Sequence, residues 1–177
     1  ASIAAVTPKV FRPDGTLAEV GVRATASGRR VPDILDDEID QGQYDGTSDV
    51  LAGGSAGLLV SSEAYMRVGG FDRALGPYNE GLELCWRLHR SGFRVVAAPG
   101  AHLTHLQLSS PRKHRTASAM RSRRSSEFYF ASLISSPAAL VAQALASIVW
   151  IPLTCFGLLL SGKPKSAYAR FFAWLGL

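Results

Sequence analysis

The sequence predicts an α/β domain that runs into a membrane helix, and three observations carry that prediction. Segments of strand and helix character alternate through residues 1–109, punctuated by Gly and Pro. No residue between Glu127 and Lys163 is charged, and the 24 residues Pro137 to Leu160 are interrupted only by Gln143, Ser147, Thr154 and by Pro and Gly. The charge is also divided: residues 1–109 carry 10 Lys or Arg against 13 Asp or Glu, a net −3, whereas residues 110–177 carry 9 against 1, a net +8.

Taken in order, Ile3 to Val10 reads as a strand closed by Pro8 or Pro13, and the acids between Asp33 and Asp49 mark an exposed loop. Val50 to Val60 reads as an apolar, Gly-rich strand. Ser62 is placed to cap a short helix from Glu63 to Val68, which Gly69 and Gly70 stop. Asn79 is placed to cap a second helix, Glu80 to Arg90. Leu84, Cys85 and Leu88 give that helix one apolar face, and Gly92 ends it. Phe93 to Ala98 follows as a strand ended by Pro99.

The remaining third divides into a basic linker or helix over 110–133, a membrane helix over 134–161 and an aromatic segment over 162–177. As a helix, Pro137 to Leu160 would be about 36 Å long at ~1.5 Å per residue, enough for a hydrocarbon core of about 30 Å. Pro152 should kink it. Arg112, Lys113, Arg115, Arg121, Arg123 and Arg124 precede it, with no acid among them until Glu127. Juxtamembrane cations favour the cytoplasmic side and attract anionic lipid, so the expected location is the plasma membrane with the soluble part facing the cytoplasm. Nucleic acid is not the expected partner, because no aromatics interleave the basic run. Beyond Gly162 and Pro164, Tyr168, Phe171, Phe172 and Trp174 mark an interfacial segment or the start of a second span. The first residue is Ala1 rather than Met, which reads as a cut or processed end.

Cys85 and Cys155 are 70 positions apart and fit neither a disulfide framework nor a zinc spacing. Three other constellations bear on chemistry. Gly53 to Gly57, GGSAG, matches a nucleophile elbow, with Asp72 and His105 following Ser55 in hydrolase order. An elbow needs a helix directly after its Ser, whereas Leu58, Leu59 and Val60 continue as an apolar run, so serine hydrolysis is disfavoured. In the acidic loop, Asp36, Glu38 and Asp40 alternate as in a calcium loop, yet Gln41 and Thr47 occupy the positions where that loop needs Gly and Glu. This leaves a solvated loop, or one that touches a cation or an acceptor.

The third constellation spans Gly69 to His105. It comprises Gly69-Gly70-Phe71-Asp72, Glu80, the run Glu83-Leu84-Cys85-Trp86-Arg87, then Gly92, Pro99 and His105. In order and spacing it resembles the acceptor-side half of family 2 glycosyltransferases of the GT-A type, over most of residues 49–107. The anchor that follows is similar to that of large multi-span bacterial enzymes making envelope glycans. The resemblance implies a partial GT-A sandwich. It implies inverting transfer of a sugar from a nucleotide-sugar donor to a hydroxyl of a cell-envelope glycan or lipid-linked acceptor. Glu80 and Glu83 would be the catalytic carboxylates, Gly54, Ser55, Asp72, Trp86 and Arg87 would border the acceptor, and His105 would approach a divalent cation, Mg2+ or Mn2+. That cation would be held mainly by a donor-side Asp-x-Asp motif, which these residues do not contain.

The residues support such a role on physical grounds. Unpaired N–H groups at a helix N-terminus keep a carboxylate ionised and oriented, ready to accept a proton from a sugar hydroxyl. One position departs from the family pattern, since Gly81 stands where its usual base stands. The alternative is a membrane-anchored scaffold that has kept a degenerate glycosyltransferase fold without catalysis.

Overall fold

In the computed structural model, which describes residues 1–76, 78–106 and 117–175, the chain forms a mixed α/β unit with a curled sheet and a separate helical unit. The first strand forms as expected and extends one residue further, as β1 (Ile3–Phe11). It is flanked by β2 (Leu17–Glu19), while β3 (Val22–Ala24) and β4 (Arg30–Pro32) make a separate antiparallel pair. β1 pairs in parallel with β7 (Arg94–Thr104), and β7 pairs antiparallel with the short β5 (Ser48–Asp49). β6 (Leu59–Val60) joins β1 antiparallel at Ala5 and Val6, while β2 joins it near Val10 and Phe11.

Two expectations about strands are corrected. Val50 to Val60 is not one strand: Ala52 makes a single bridge to Val22, and the chain turns through Gly53–Gly57 before β6. A Cβ on Gly53 would collide with Thr7, and one on Gly57 with Pro8 and Leu103. Glycines therefore let this loop lie directly on β1 and β7, at the expense of ladder pairing. Pro99 does not end β7 either. Register runs from Pro8↔Ala98 straight to Lys9↔His102, so Pro99, Gly100 and Ala101 form a bulge and pairing resumes beyond it. Proline has no N–H to give the ladder, and a bulge absorbs that loss without stopping the strand.

The helices follow the sequence more closely. α1 (Ser62–Arg67) starts one residue early, with Ser61 rather than Ser62 as the cap, its Oγ accepting from Ala64 N at 3.5 Å. α2 (Glu80–Arg90) has the expected bounds and buries Leu84, Cys85 and Leu88. Asn79 precedes it in the left-handed region, φ 66°, and its side chain does not cap the helix. A cluster of Leu17, Val20 and Ala97, packed by Phe11, Ile34, Tyr44 and Val50, fills part of the core.

In the helical unit α3 (Ala117–Ile134) contains Arg121, Arg123 and Arg124, whereas Arg112, Lys113 and Arg115 lie outside the described residues. α4 (Pro137–Leu160) has the length anticipated for the apolar run, begins at a Ser136 cap and continues through Pro152. It is long and apolar enough to cross a membrane by length and composition, and only 11% of its most apolar window is buried. Its polar side chains are all engaged with backbone carbonyls: Gln143 with Ala26, Ser147 with Ala144 and Thr154 with Ile151. After a turn at Gly162, α5 (Pro164–Leu175) packs back on α4 through Ile151, Cys155, Leu158 and Ala167. Trp174 lies on α5, its side chain outside the described part.

Candidate functional site

The α/β unit brings the Gly53–Gly57 loop onto the first turn of α2, and Gly81 sets how close they come. A Cβ there would stand 2.7 Å from Gly53 O and 2.9 Å from Ser55 N, so no side chain fits without moving the loop. Where the family pattern has an acid, the space is taken by backbone. At the same edge the Ser55 hydroxyl donates to Glu80 Oε1 at 2.5 Å, with Ser55 exposed and Glu80 half-buried. Glu80 begins α2, where helix N–H groups favour a negative charge.

Glu83, one turn further, sits in different surroundings. Its side chain is 2% exposed, and its two oxygens accept from Arg87 Nε and Nη2 at 2.6 and 2.7 Å. Arg87 also donates to the carbonyls of Val68 and Gly70, so the pair ties α2 to the turn after α1. Both residues are thus occupied in holding the fold, and a reacting group would have to displace an established bidentate contact. Asp72 accepts from Ala74 N at 2.8 Å and shapes the loop that follows the Gly69-Gly70-Phe71 segment. Trp86 lies six residues from Glu80, about 9 Å along the helix at ~1.5 Å per residue, and stacks under the Arg90 guanidinium 5.1 Å from the ring centre. Of the anticipated acceptor residues, Ser55 bonds to Glu80; the Gly54 N–H is taken by the Glu19 carboxylate, which Arg30 pairs.

The hydrolase order of Ser55, Asp72 and His105 does not become a triad, since the hydroxyl of Ser55 goes to a carboxylate and Asp72 to its own turn. His105 donates its backbone N–H to Phe11 O at 2.9 Å, and its buried Nδ1 has no hydrogen-bond partner among the described residues. No group of three or more His, Cys, Asp or Glu able to hold a metal occurs among the described residues. The Cys85 thiol, pushed up to about 11 by burial, stays protonated and unreactive at neutral pH.

The acidic loop does meet a cation, and it is the protein's own. Lys9, 1% exposed near the C-terminal end of β1, donates to Asp40 at 2.8 and 2.9 Å and to Asp45 at 2.5 Å. Glu38 accepts from Leu35 N, Gln43 Nε2 and the Tyr44 hydroxyl, which fold the loop on itself. Sequence reasoning missed Lys9, Glu19 and Arg30. The available signal was a lone charge inside an otherwise apolar strand, which must find a partner when buried.

No family model matches the chain, and no curated protein is significantly similar to it.

Proposed function

We propose that this chain is the acceptor-side half of a GT-A glycosyltransferase domain of family 2, anchored in the plasma membrane by α4, with the α/β unit on the cytoplasmic side. The motif order from Gly69 to His105 supports the family, and one geometric observation supports the chemistry: a half-buried Glu80 carboxylate at the first turn of α2 accepts a hydrogen bond from a hydroxyl, that of Ser55, at 2.5 Å. An acceptor sugar hydroxyl replacing that of Ser55 would meet the same oxygen. Glu80 takes the proton as the sugar oxygen forms its bond to the anomeric carbon of the donor. The bond from that carbon to the nucleoside diphosphate breaks in the same displacement, its electron pair leaves with the diphosphate, and the configuration inverts. Glu80 carries the base role in this proposal, because Glu83 is committed to Arg87. A divalent cation would neutralise the departing diphosphate. The resemblance puts its main ligands on the donor side, with His105 the residue of this chain that would approach it.

The test is sugar transfer by this chain joined to a donor-binding half, comparing Glu80→Gln with the parent. A general base contributes about 10² to 10⁴ in rate, so transfer should fall by that factor with donor binding intact. Equal rates in the two proteins would remove Glu80 as the base. The closed space at Gly81 favours a second reading, a scaffold that has lost its base. An inactive parent that still binds acceptor glycan would select it.

A further inference from the structure

Between α4 and α5 lies an open groove of about 630 Å3, a volume within the range of roughly 300–1,000 Å3 typical of small-molecule sites. Leu159, Tyr168, Phe171 and Phe172 line it, Cys155 and Ala167 form its floor, and the charged residue on its wall is Lys165. Lys163 and Arg170 flank Lys165 in sequence, and no Asp or Glu occurs between residues 128 and 177. An apolar slot with a cationic rim fits an amphiphile that has an anionic head. The bare face of α4, with Trp150, Phe156 and Leu160 exposed, continues directly from the groove wall at Leu159. A second copy of the chain fits less well, because it would bring another region of net +8 against the same basic rim.

We propose that the α4–α5 groove is a binding site for one anionic phospholipid, with an acyl chain along Leu159, Tyr168 and Phe172 and the phosphate at Lys165. The inference requires α4 to be embedded in a bilayer and is independent of the glycosyltransferase reading. Lipids that share the acyl chain would compete for the slot, and the charge of the head decides among them.

Native mass spectrometry of the whole chain, released from detergent after addition of equal phosphatidylglycerol and phosphatidylcholine with identical acyl chains, tests it. The parent should keep one phosphatidylglycerol per chain under activation that strips phosphatidylcholine. Lys165→Gln should reduce that preference about fivefold, the effect of one lysine near an anionic head, and Lys165→Arg should retain it. Leu159→Trp, at an exposed position on the groove wall, should lower retention of both lipids. Circular dichroism matching the parent would show that the variants keep their helices. Equal retention of the two lipids by the parent, an unchanged preference in folded Lys165→Gln, or a lipid-free dimer occupying the groove would overturn the proposal.

Discussion

The α/β unit and the helical unit treat charge in opposite ways. In the first, Lys9 meets Asp40 and Asp45, Arg30 meets Glu19 and Arg87 meets Glu83, so these buried or half-buried charges are answered from within the unit, and Arg94 meets Asp49 at its surface. In the second, Arg123 and Glu127 form an ion pair at the surface of α3, and Glu127 is the one acid available to nine cations over residues 110–177. Likewise the first unit buries the apolar residues of α2 and of the start of β7, Leu82, Leu84, Leu88, Val95 and Val96 among them, while α4 leaves most of its own bare. Excess cations and bare apolar surface are what the proposed lipid setting would answer, with an anion and with hydrocarbon.

The largest effect should come from breaking an internal pair in the first unit. Arg87→Met leaves the Glu83 carboxylate buried without its cation and strips the Val68 and Gly70 carbonyls of a donor. Removing one partner of a buried pair costs about 3–5 kcal/mol, and the partial exposure of Arg87 sets the expectation at the lower end. Thermal or denaturant unfolding followed by circular dichroism measures it. The double variant Glu83→Met, Arg87→Met should recover much of the loss, since an apolar pair leaves no orphaned charge. A loss in Arg87→Met no greater than that of an exposed substitution would mean the pair does not bind α2 to the turn after α1.

Next in size is the Lys9 cluster, where pH supplies a second axis. Burial alone would lower the Lys9 pKa, but the hydrogen bonds it donates to Asp40 and Asp45 outweigh that and hold it raised. The same bond from Lys9 holds the Asp40 carboxyl below its usual range. A depressed carboxyl stabilises the fold above its unfolded value, about 3.9, and that contribution is lost as pH falls through the folded value. A raised lysine stabilises it below about 10.4, and that contribution is lost as pH rises through the folded value. Lys9→Met should therefore cost about 1.5–3 kcal/mol at neutral pH, the worth of charge-assisted hydrogen bonds. The gap between parent and variant should close towards acid, below about pH 4. A gap independent of pH from 7 to 3 would show that the loss is one of packing.

These two clusters also mark where the sequence was legible. The bounds of α2 and α4 follow from local signals: an apolar stripe stopped by Gly92, and an uncharged run between Ser136 and Gly162. β1 was legible for the same reason. The Gly53–Gly57 loop was not, because its conformation is decided by Thr7, Pro8 and Leu103, which are distant in sequence, and β7 outran Pro99 because the bulge depends on its alignment with β1. At the site, Glu80 could be proposed from its place at a helix start. The engagement of Glu83 with Arg87 has the i, i+4 spacing that the sequence displays, but its burial depends on the α1 turn folding against α2. Lys9 is a lone charge in β1, and only the fold brings Asp40 and Asp45 to it.

The smallest effect on stability should sharpen the comparison most. Arg123 Nε lies 3.0 Å from Glu127 Oε1 on α3, with the two side chains 55% and 21% exposed. Such i, i+4 pairs are worth about 0.3–0.5 kcal/mol, so Glu127→Gln should melt almost with the parent. Its consequence for lipid should be larger, because the substitution removes the single acid in a region of net +8 and releases Arg123. A cation near an anionic surface gains about 1 kcal/mol, roughly fivefold in an equilibrium. In nanodiscs, trypsin cleavage after Arg121, Arg123 and Arg124 should be slower with phosphatidylglycerol than with phosphatidylcholine. Glu127→Gln should widen that ratio about fivefold. The difference should vanish near 1 M salt, where the screening length is about 3 Å. Identical cleavage in the two lipids for both proteins would mean that α3 makes no use of its excess cations at the membrane surface. The contrast in charge between the units would then need another anion to explain it.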